Sequence, residues 1–262
     1  MNHETARTMQ PITRGPYTAR LLDGGDDLTE AQALRHLAFR RGLGLAVGSS
    51  RDHDHYDALC HHLLVSEAGG TLVACCRLQE FAHGADLSAS YSAQFYDLAR
   101  LSGFAGPRME LGRFCLHPGW SDPDILRLTL GALTSIVDKR GVTLLFGCSS
   151  FSGADPAPHM AALAALRPYI APPAYAPGPR APERLALPQG GGSVAGMPTL
   201  LRSYLAMGAW VSDHAVIDHE MDTLHVFTGL STAAVPPARA RTLRAIARGV
   251  PGNSSIGPSD SD

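Results

Sequence analysis

The chain has 262 residues, 45% of them hydrophobic, enough to bury one sizeable core in a single expected domain. A net charge of −2 provides no general basic field for nucleic acid, and no apolar run approaches the roughly 20 residues that a membrane-spanning helix needs. The five cysteines (Cys60, Cys75, Cys76, Cys115, Cys148) contain no CxxC pair and mostly lie in apolar runs, the pattern of reduced core thiols in a cytoplasmic protein.

Residues 1–16 form a polar leader expected to be flexible. Tyr17–Leu22 predicts a first strand, and Thr29-Glu30-Ala31-Gln32 is a capping-box pattern opening a helix that runs to about Arg41 and stops at Gly42 and Gly44. After an acidic, histidine-rich loop at Asp52–Asp57, His62–Glu67 and Leu72–Gln79 predict two strands turning at Gly69-Gly70. Ser88–Leu101 reads as partly helical, and Arg108–His117 as a strand ended by Pro118-Gly119. Asp122 is placed as an N-cap with Pro123 at the first helical position, so a helix is predicted to Arg140, with Ile125, Leu128, Leu133, Ile136 and Val137 on its buried stripe. Val142–Cys148 is a continuous apolar run suited to a sheet centre, and a short helix is predicted at Pro158–Leu166. Residues 171–197, rich in Pro, Gly and Ala, predict a long loop or lid. A helix at Pro198–Met207, strands at Ala209–Val211 and Thr223–Leu230, a basic amphipathic helix within 236–250 and a disordered tail over 251–262 complete the pattern.

Five local patterns follow in order: Arg35-x-x-x-Phe39, Asp54-x-x-Asp57, a strand bearing Arg77, Glu110-Leu-Gly-Arg113, and Gly147-Cys148-Ser149. This series resembles the ornithine lipid N-acyltransferases, a hemolysin-like group of the GNAT superfamily, and the related acyl-homoserine lactone synthases. The segments ELGRFCLHPGW and GCSSF, with Pro198–Ala209, favour the first group, and Leu45 stands where the lactone synthases usually carry Trp. Asp218–His225 departs from the commoner ending, with Met221 and His225 in place of Phe and Asp.

The resemblance implies an α/β GNAT-like fold over residues 17–235, a mixed and mostly antiparallel central sheet flanked by helices. It also implies transfer of a fatty acyl chain, with or without a 3-hydroxyl, from acyl carrier protein to the α-amine of an amino acid, with ornithine as the expected acceptor and a lyso-aminolipid as product. On this reading the protein has no cofactor of its own, because 4'-phosphopantetheine arrives on the carrier protein. Glu110 and Arg113 become the catalytic candidates, and Arg35, Phe39, Asp54, Asp57, Arg77, Asp218 and Asp222 the substrate-binding ones. Glutamine, lysine or glycine as acceptor, lactone synthesis and a non-catalytic carrier-protein or membrane-binding module are the competing readings.

The residues support this chemistry on their own terms. Acyl transfer to an amine needs a base for the ammonium proton and donors for the developing oxyanion. Glu110 and Arg113 are three apart and point to opposite faces of a regular strand, so both reach one cleft only if the strand is bulged or splayed. Such a bulge also frees backbone N–H groups for a thioester carbonyl. Arg35, Arg77 and Arg113 with Asp54 and Asp57 are expected to form an ion-pair network around the cleft, or a purely structural one. The loop Gly119–Asp124 is acidic, unlike a pyrophosphate cradle, which favours a carrier-protein donor over free coenzyme A. Asp52, His53, Asp54, His55, His61 and His62 are the one candidate metal cluster, without a spacing such as HExxH. Arg241, Arg244 and Arg248 opposite Leu243, Ile246, Ala247 and Val250 suggest peripheral contact with an anionic membrane or with acidic carrier protein.

Overall fold

The structure is a computed structural model, and it describes residues 9–22, 26–39 and 50–248. Gly42, Gly44, Leu45, Val250, the tail and the first half of the leader lie outside these residues, as does the expected helix end at Arg41.

Eleven strands and five α-helices are formed among the described residues: β1 (Ile12–Arg14), β2 (Tyr17–Leu22), α1 (Thr29–Phe39), β3 (His61–Glu67), β4 (Leu72–Phe81), β5 (Tyr96–Asp97), β6 (Arg108–Leu116), α2 (Pro123–Arg140), β7 (Leu144–Ser152), α3 (Met160–Ala164), β8 (Gly178–Pro179), β9 (Arg184–Ala186), α4 (Thr199–Leu205), β10 (Trp210–Asp218), β11 (Thr223–Ser231) and α5 (Pro237–Ala247). Nine strands make one sheet in the order β1-β2-β3-β4-β6-β7-β11-β10-β9, and β5 pairs with β8 separately. Every neighbouring pair in the large sheet is antiparallel except β6 and β7.

That exception organises the molecule. β6 and β7 pair only at Arg108↔Leu144, Met109↔Leu145 and Glu110↔Phe146, then diverge. Gly147 sits at the fork, where a Cβ would lie 2.3 Å from the Leu111 carbonyl oxygen, so only glycine allows this approach. On its other side β6 is bulged: Arg77 pairs with Gly112 and Cys75 with Cys115, leaving Arg113 and Phe114 opposite Cys76 alone. Arg113 adopts φ +48°, a left-handed conformation rarely taken by non-glycine residues.

The apolar stripe of α2 (Ile125, Leu128, Ala132, Leu133, Ile136) packs on Leu63, Val65, Leu78 and Met109 of one sheet half. Its start follows from Asp122, whose carboxylate accepts from the Asp124 N–H (2.8 Å), and from Pro123; its end comes at Gly141, left-handed at φ +62°. On the other half, Leu163, Leu201 and Leu205 of α3 and α4 cover Val211, Ala215, Leu224 and Val226. The opposite face is closed by residues of the 81–104 segment, with Tyr96, Leu98 and Leu101 packed on Phe146, Val216 and Phe227.

Several expectations are corrected here. The leader is not wholly flexible: Met9 and Ile12 are buried, and β1 pairs with β2 because Ile12 can cover the end of the α2 core. The predicted capping box is displaced: Asp27 accepts from the Thr29 N–H (2.9 Å), and Leu28 O accepts from Gln32 N (2.9 Å). Residues 171–197 are not a plain lid, since they supply β9 to the sheet edge and bury Ala171, Ala181, Leu187 and Met197. The strand expected at Ala209–Val211 runs on to Asp218. Ser212 makes this possible: its hydroxyl accepts from the Phe227 N–H (3.0 Å) and donates to His214 O (2.6 Å) where the β10 register shifts. The apolar face of α5 is occupied, with Leu243 and Ile246 buried and Arg244 bound to Asp138 through two bonds of 2.7 and 2.9 Å. Among the described residues no helix is long and apolar enough to cross a membrane.

Candidate active site

The fork between β6 and β7 opens into a cavity of about 300 Å³. Its walls are Glu110–Phe114 of β6, Leu145–Ser150 of β7 and Leu200, Leu201 and Tyr204 of α4, and Phe39, Tyr91, Asp218, Met221, Thr223 and His225 complete the lining. Residues 111–114 face this space without a ladder partner in β7. The splay and the bulge occur together at the Glu110–Arg113 motif, as its spacing requires if both side chains are to serve one cleft.

Glu110 is 4% exposed. One carboxylate oxygen accepts from the Tyr91 N–H (2.8 Å) and the other from the Ser92 N–H (2.7 Å), at the start of a short 3₁₀ turn. Burial raises its pKa above the usual carboxylate value, against the lowering effect of the Ser92 hydroxyl, of the two backbone bonds and of Arg77. Each oxygen keeps acceptor capacity beyond its one backbone bond, so the group can still take a proton from something in the cavity. The structural partner of Glu110 is the backbone of the 91–92 turn, not an arginine side chain.

The expected network is present and includes a member the expectation omitted. Arg35, 1% exposed, holds Asp57 through two bonds of 2.7 Å, and its Nε lies 3.2 Å from Asp52 Oδ2. Arg77 donates to Asp57 Oδ1 (3.1 Å) and to Asp54 Oδ1. Arg113 binds Asp52 Oδ2 (3.0 Å) and approaches Asp54 Oδ2 at 3.5 Å, with its guanidinium 5.0 Å from the centre of the Tyr91 ring. Burial alone would raise the Asp57 pKa, but Arg35 and Arg77 together hold it well below its ordinary value. Three arginines thus interleave with three aspartates behind Tyr91. Of this set only Arg113 reaches the cavity wall.

The remaining candidates divide. Phe39 lines the cavity and also packs against the Ala31, Leu34, Leu64 cluster. Asp218, 7% exposed, lines the cavity, with Oδ1 accepting from Met221 N (3.0 Å). Asp222 does not line it: this residue turns the β10–β11 connection at φ +45°, and its carboxylate accepts from the Ala154 N–H (2.9 Å). Asp54 and Asp57 also stand outside the lining, consumed by arginines. The histidines of the Asp52–His62 segment are dispersed, His62 Nε2 lying 3.0 Å from Asp57 O and the His55 ring resting at a tilt against Tyr56, and among the described residues no group of three or more His, Cys, Asp or Glu is arranged to hold a metal.

Tyr91, Cys148 and His225 line the cavity and were absent from the sequence-based site. Tyr91 lies in irregular chain and carries no periodic signal. Cys148 occupies the end of an apolar strand, where an ordinary core thiol is the default. His225 stood out in the sequence only as a departure from a motif.

The sequence profile of the acetyltransferase (GNAT) domain matches residues 34–130, which include the second half of α1, the arginine–aspartate network, Glu110 and the first turns of α2. An L-ornithine N(alpha)-acyltransferase of Rhodobacter capsulatus is 29% identical over 84% of this chain and 91% of its own. One from Brucella abortus is 28% identical over 81% and 83%. Among solved structures, the CoA-dependent acyl-homoserine lactone synthase MesI is 12% identical, with a TM-score of 0.48 over 88% of this chain and 95% of that one. The chain is an acyltransferase built on the GNAT fold, and its relatives in sequence are L-ornithine N(alpha)-acyltransferases.

Proposed function

We propose that the enzyme transfers a fatty acyl chain, with or without a 3-hydroxyl, from acyl carrier protein to the α-amine of ornithine, forming a lyso-ornithine lipid. The observation that carries this reading is the presence of Glu110, at the β6–β7 fork, and Asp218 in the lining of one cavity. Glu110 takes the proton from the α-ammonium, directly or through water. Those N–H groups of the 111–114 segment that face β7 without a ladder partner there are the donors available to a thioester oxygen that develops charge. Asp218 then meets the side-chain ammonium, which is costly to bury without a counter-charge. Of the four aspartates proposed from sequence it alone lines the cavity, and the names of the relatives point to the same acceptor.

The donor assignment draws on the start of α2. There the Asp122 carboxylate already occupies the helix N-terminus and accepts from Tyr17 Oη (2.9 Å) as well as from Asp124 N. Asp124 adds a second negative charge beside it, paired with Arg14 and Arg127. A pyrophosphate would meet like charge at this end, whereas a carrier-protein arm brings a single phosphodiester.

Purified enzyme incubated with 3-hydroxyacyl carrier protein and a panel of amino acids should yield the mass of N-acylornithine. Comparable kcat/KM with acyl-coenzyme A would overturn the donor assignment, and preferential acylation of glutamine would overturn the acceptor. Asp218→Asn should raise the KM for ornithine and leave that for the acyl donor nearly unchanged, because it removes binding rather than chemistry.

A further inference from the structure

His225 is one of the residues lining the cavity, 2% exposed, and its Nε2 is buried with no hydrogen-bond partner in the protein. A buried polar atom without a partner is costly, and where it borders a ligand cavity a missing ligand donor accounts for it. The other ring nitrogen decides what kind of partner Nε2 needs. Tyr96 Oη lies 3.1 Å from Nδ1 and 2.9 Å from the His225 carbonyl oxygen. The carbonyl can only accept, and two bare oxygens at that distance repel, so the single phenolic proton goes to the carbonyl. Nδ1 must then carry its own proton and donate it to Tyr96, which leaves Nε2 as a bare lone pair. Burial, reinforced by His214 and opposed by Asp218, pulls the ring pKa down to about 4, so the neutral form persists at physiological pH.

Register places this acceptor away from the reacting end. Glu110 is level with Phe146 of β7 and His225 with Ser150, four residues further on. That is about 13 Å along the strand, and β11 lies two strands across the sheet from β6. The two nitrogens of extended ornithine are about 6 Å apart, so one molecule meets both groups only where both side chains extend toward it.

We infer that His225 Nε2 is the neutral hydrogen-bond acceptor for the side-chain ammonium of the acceptor amino acid, seated beside the Asp218 carboxylate. This rests on the reading of the enzyme as an acyltransferase for a cationic amino acid. An ammonium offers three N–H donors, so one carboxylate does not satisfy it. Asp218 supplies the charge and His225 a second acceptor without a second charge. The site therefore recognises a terminal amine through two acceptors.

Two measurements test this. In protein labelled with ¹⁵N-histidine, His225 should show a protonated Nδ1 and an unprotonated Nε2, and Nε2 should shift on saturation with ornithine but not with norvaline, which has the same carbon chain without the amine. A protonated Nε2 in the free enzyme, or no ornithine-dependent shift, overturns the inference whether or not any variant folds. In steady-state assays His225→Phe should raise the KM for ornithine about tenfold or more, the scale of a lost bond to a charged group. The KM for acyl carrier protein substrate should stay unchanged, and His225→Gln, which can place an oxygen near Nε2, should recover much of the loss. An unaltered ornithine KM in folded His225→Phe, with the wild type active on ornithine, removes His225 alone. Failure of the wild type to acylate ornithine removes the acceptor assignment itself.

Discussion

Glu110 combines two properties that its substitution should separate. Its carboxylate anchors the 91–92 turn through two backbone bonds, and its raised pKa suits it to accept a proton. Glu110→Gln preserves the shape, but the amide NH₂ can no longer accept from one of the two N–H groups. Turnover is expected to fall roughly 10²-fold or more, with a stability loss of about 1–3 kcal/mol from the stranded backbone donor. Rate and urea-denaturation measurements on one preparation would check both; near-normal turnover would take Glu110 out of the mechanism. Asp57 is a different case, since it does not touch the cavity. Asp57→Asn leaves the buried Arg35 and Arg77 charges short of a counter-ion and should cost about 3–5 kcal/mol, a loss visible as a lower urea midpoint. Arg35 and Asp57 were legible in the sequence as members of a network. Asp52 was legible only as an acidic loop residue, because nothing in its neighbours reports that the loop folds its carboxylate back onto both Arg35 and Arg113.

At the scale of elements, the site is a defect in a sheet. A fully paired β6–β7 ladder would have no cavity, and a regular β6 would turn either Glu110 or Arg113 away. The spacing of those two residues announced an irregularity, but its location depends on Gly147, where the strands fork beside Leu111 O. Gly147→Ala should force the fork apart. We expect a stability loss of about 1–3 kcal/mol, the usual scale of overpacking, and a larger loss of activity than of stability, read by comparing kcat/KM with the urea midpoint. An active, equally stable variant would show that the close approach is not required. The C-terminal helix illustrates the opposite outcome. Its amphipathic pattern was plain, but the pattern alone did not say what the apolar face would cover, and that face packs on α2. A Cβ on Gly131 of α2 would lie 2.6 Å from Ile246 Cγ2.

Taken whole, the molecule is two sheet halves with separate cores, joined at the short parallel contact and by α2 and α5. Its stability should depend on pH through the aspartates between the arginines. Asp57 has a folded pKa below its ordinary 3.8, so its contribution is complete above that value and is lost as pH falls toward the folded pKa. Urea midpoints should therefore decline steeply in acid below this point, and Asp57→Asn should flatten that decline; an equally steep decline in the variant would assign acid lability to other groups. The sequence by itself determined most elements, the α2 cap at Asp122 and Pro123, the Arg–Asp partners and the Glu110–Arg113 irregularity, because period, capping chemistry and spacing are local properties of the chain. Only the tertiary structure decided that residues 12–14 and 184–186 extend the sheet, that Asp218 faces the cavity and Asp222 does not, and that Tyr96 leaves His225 Nε2 bare, because each depends on contacts between segments distant along the chain.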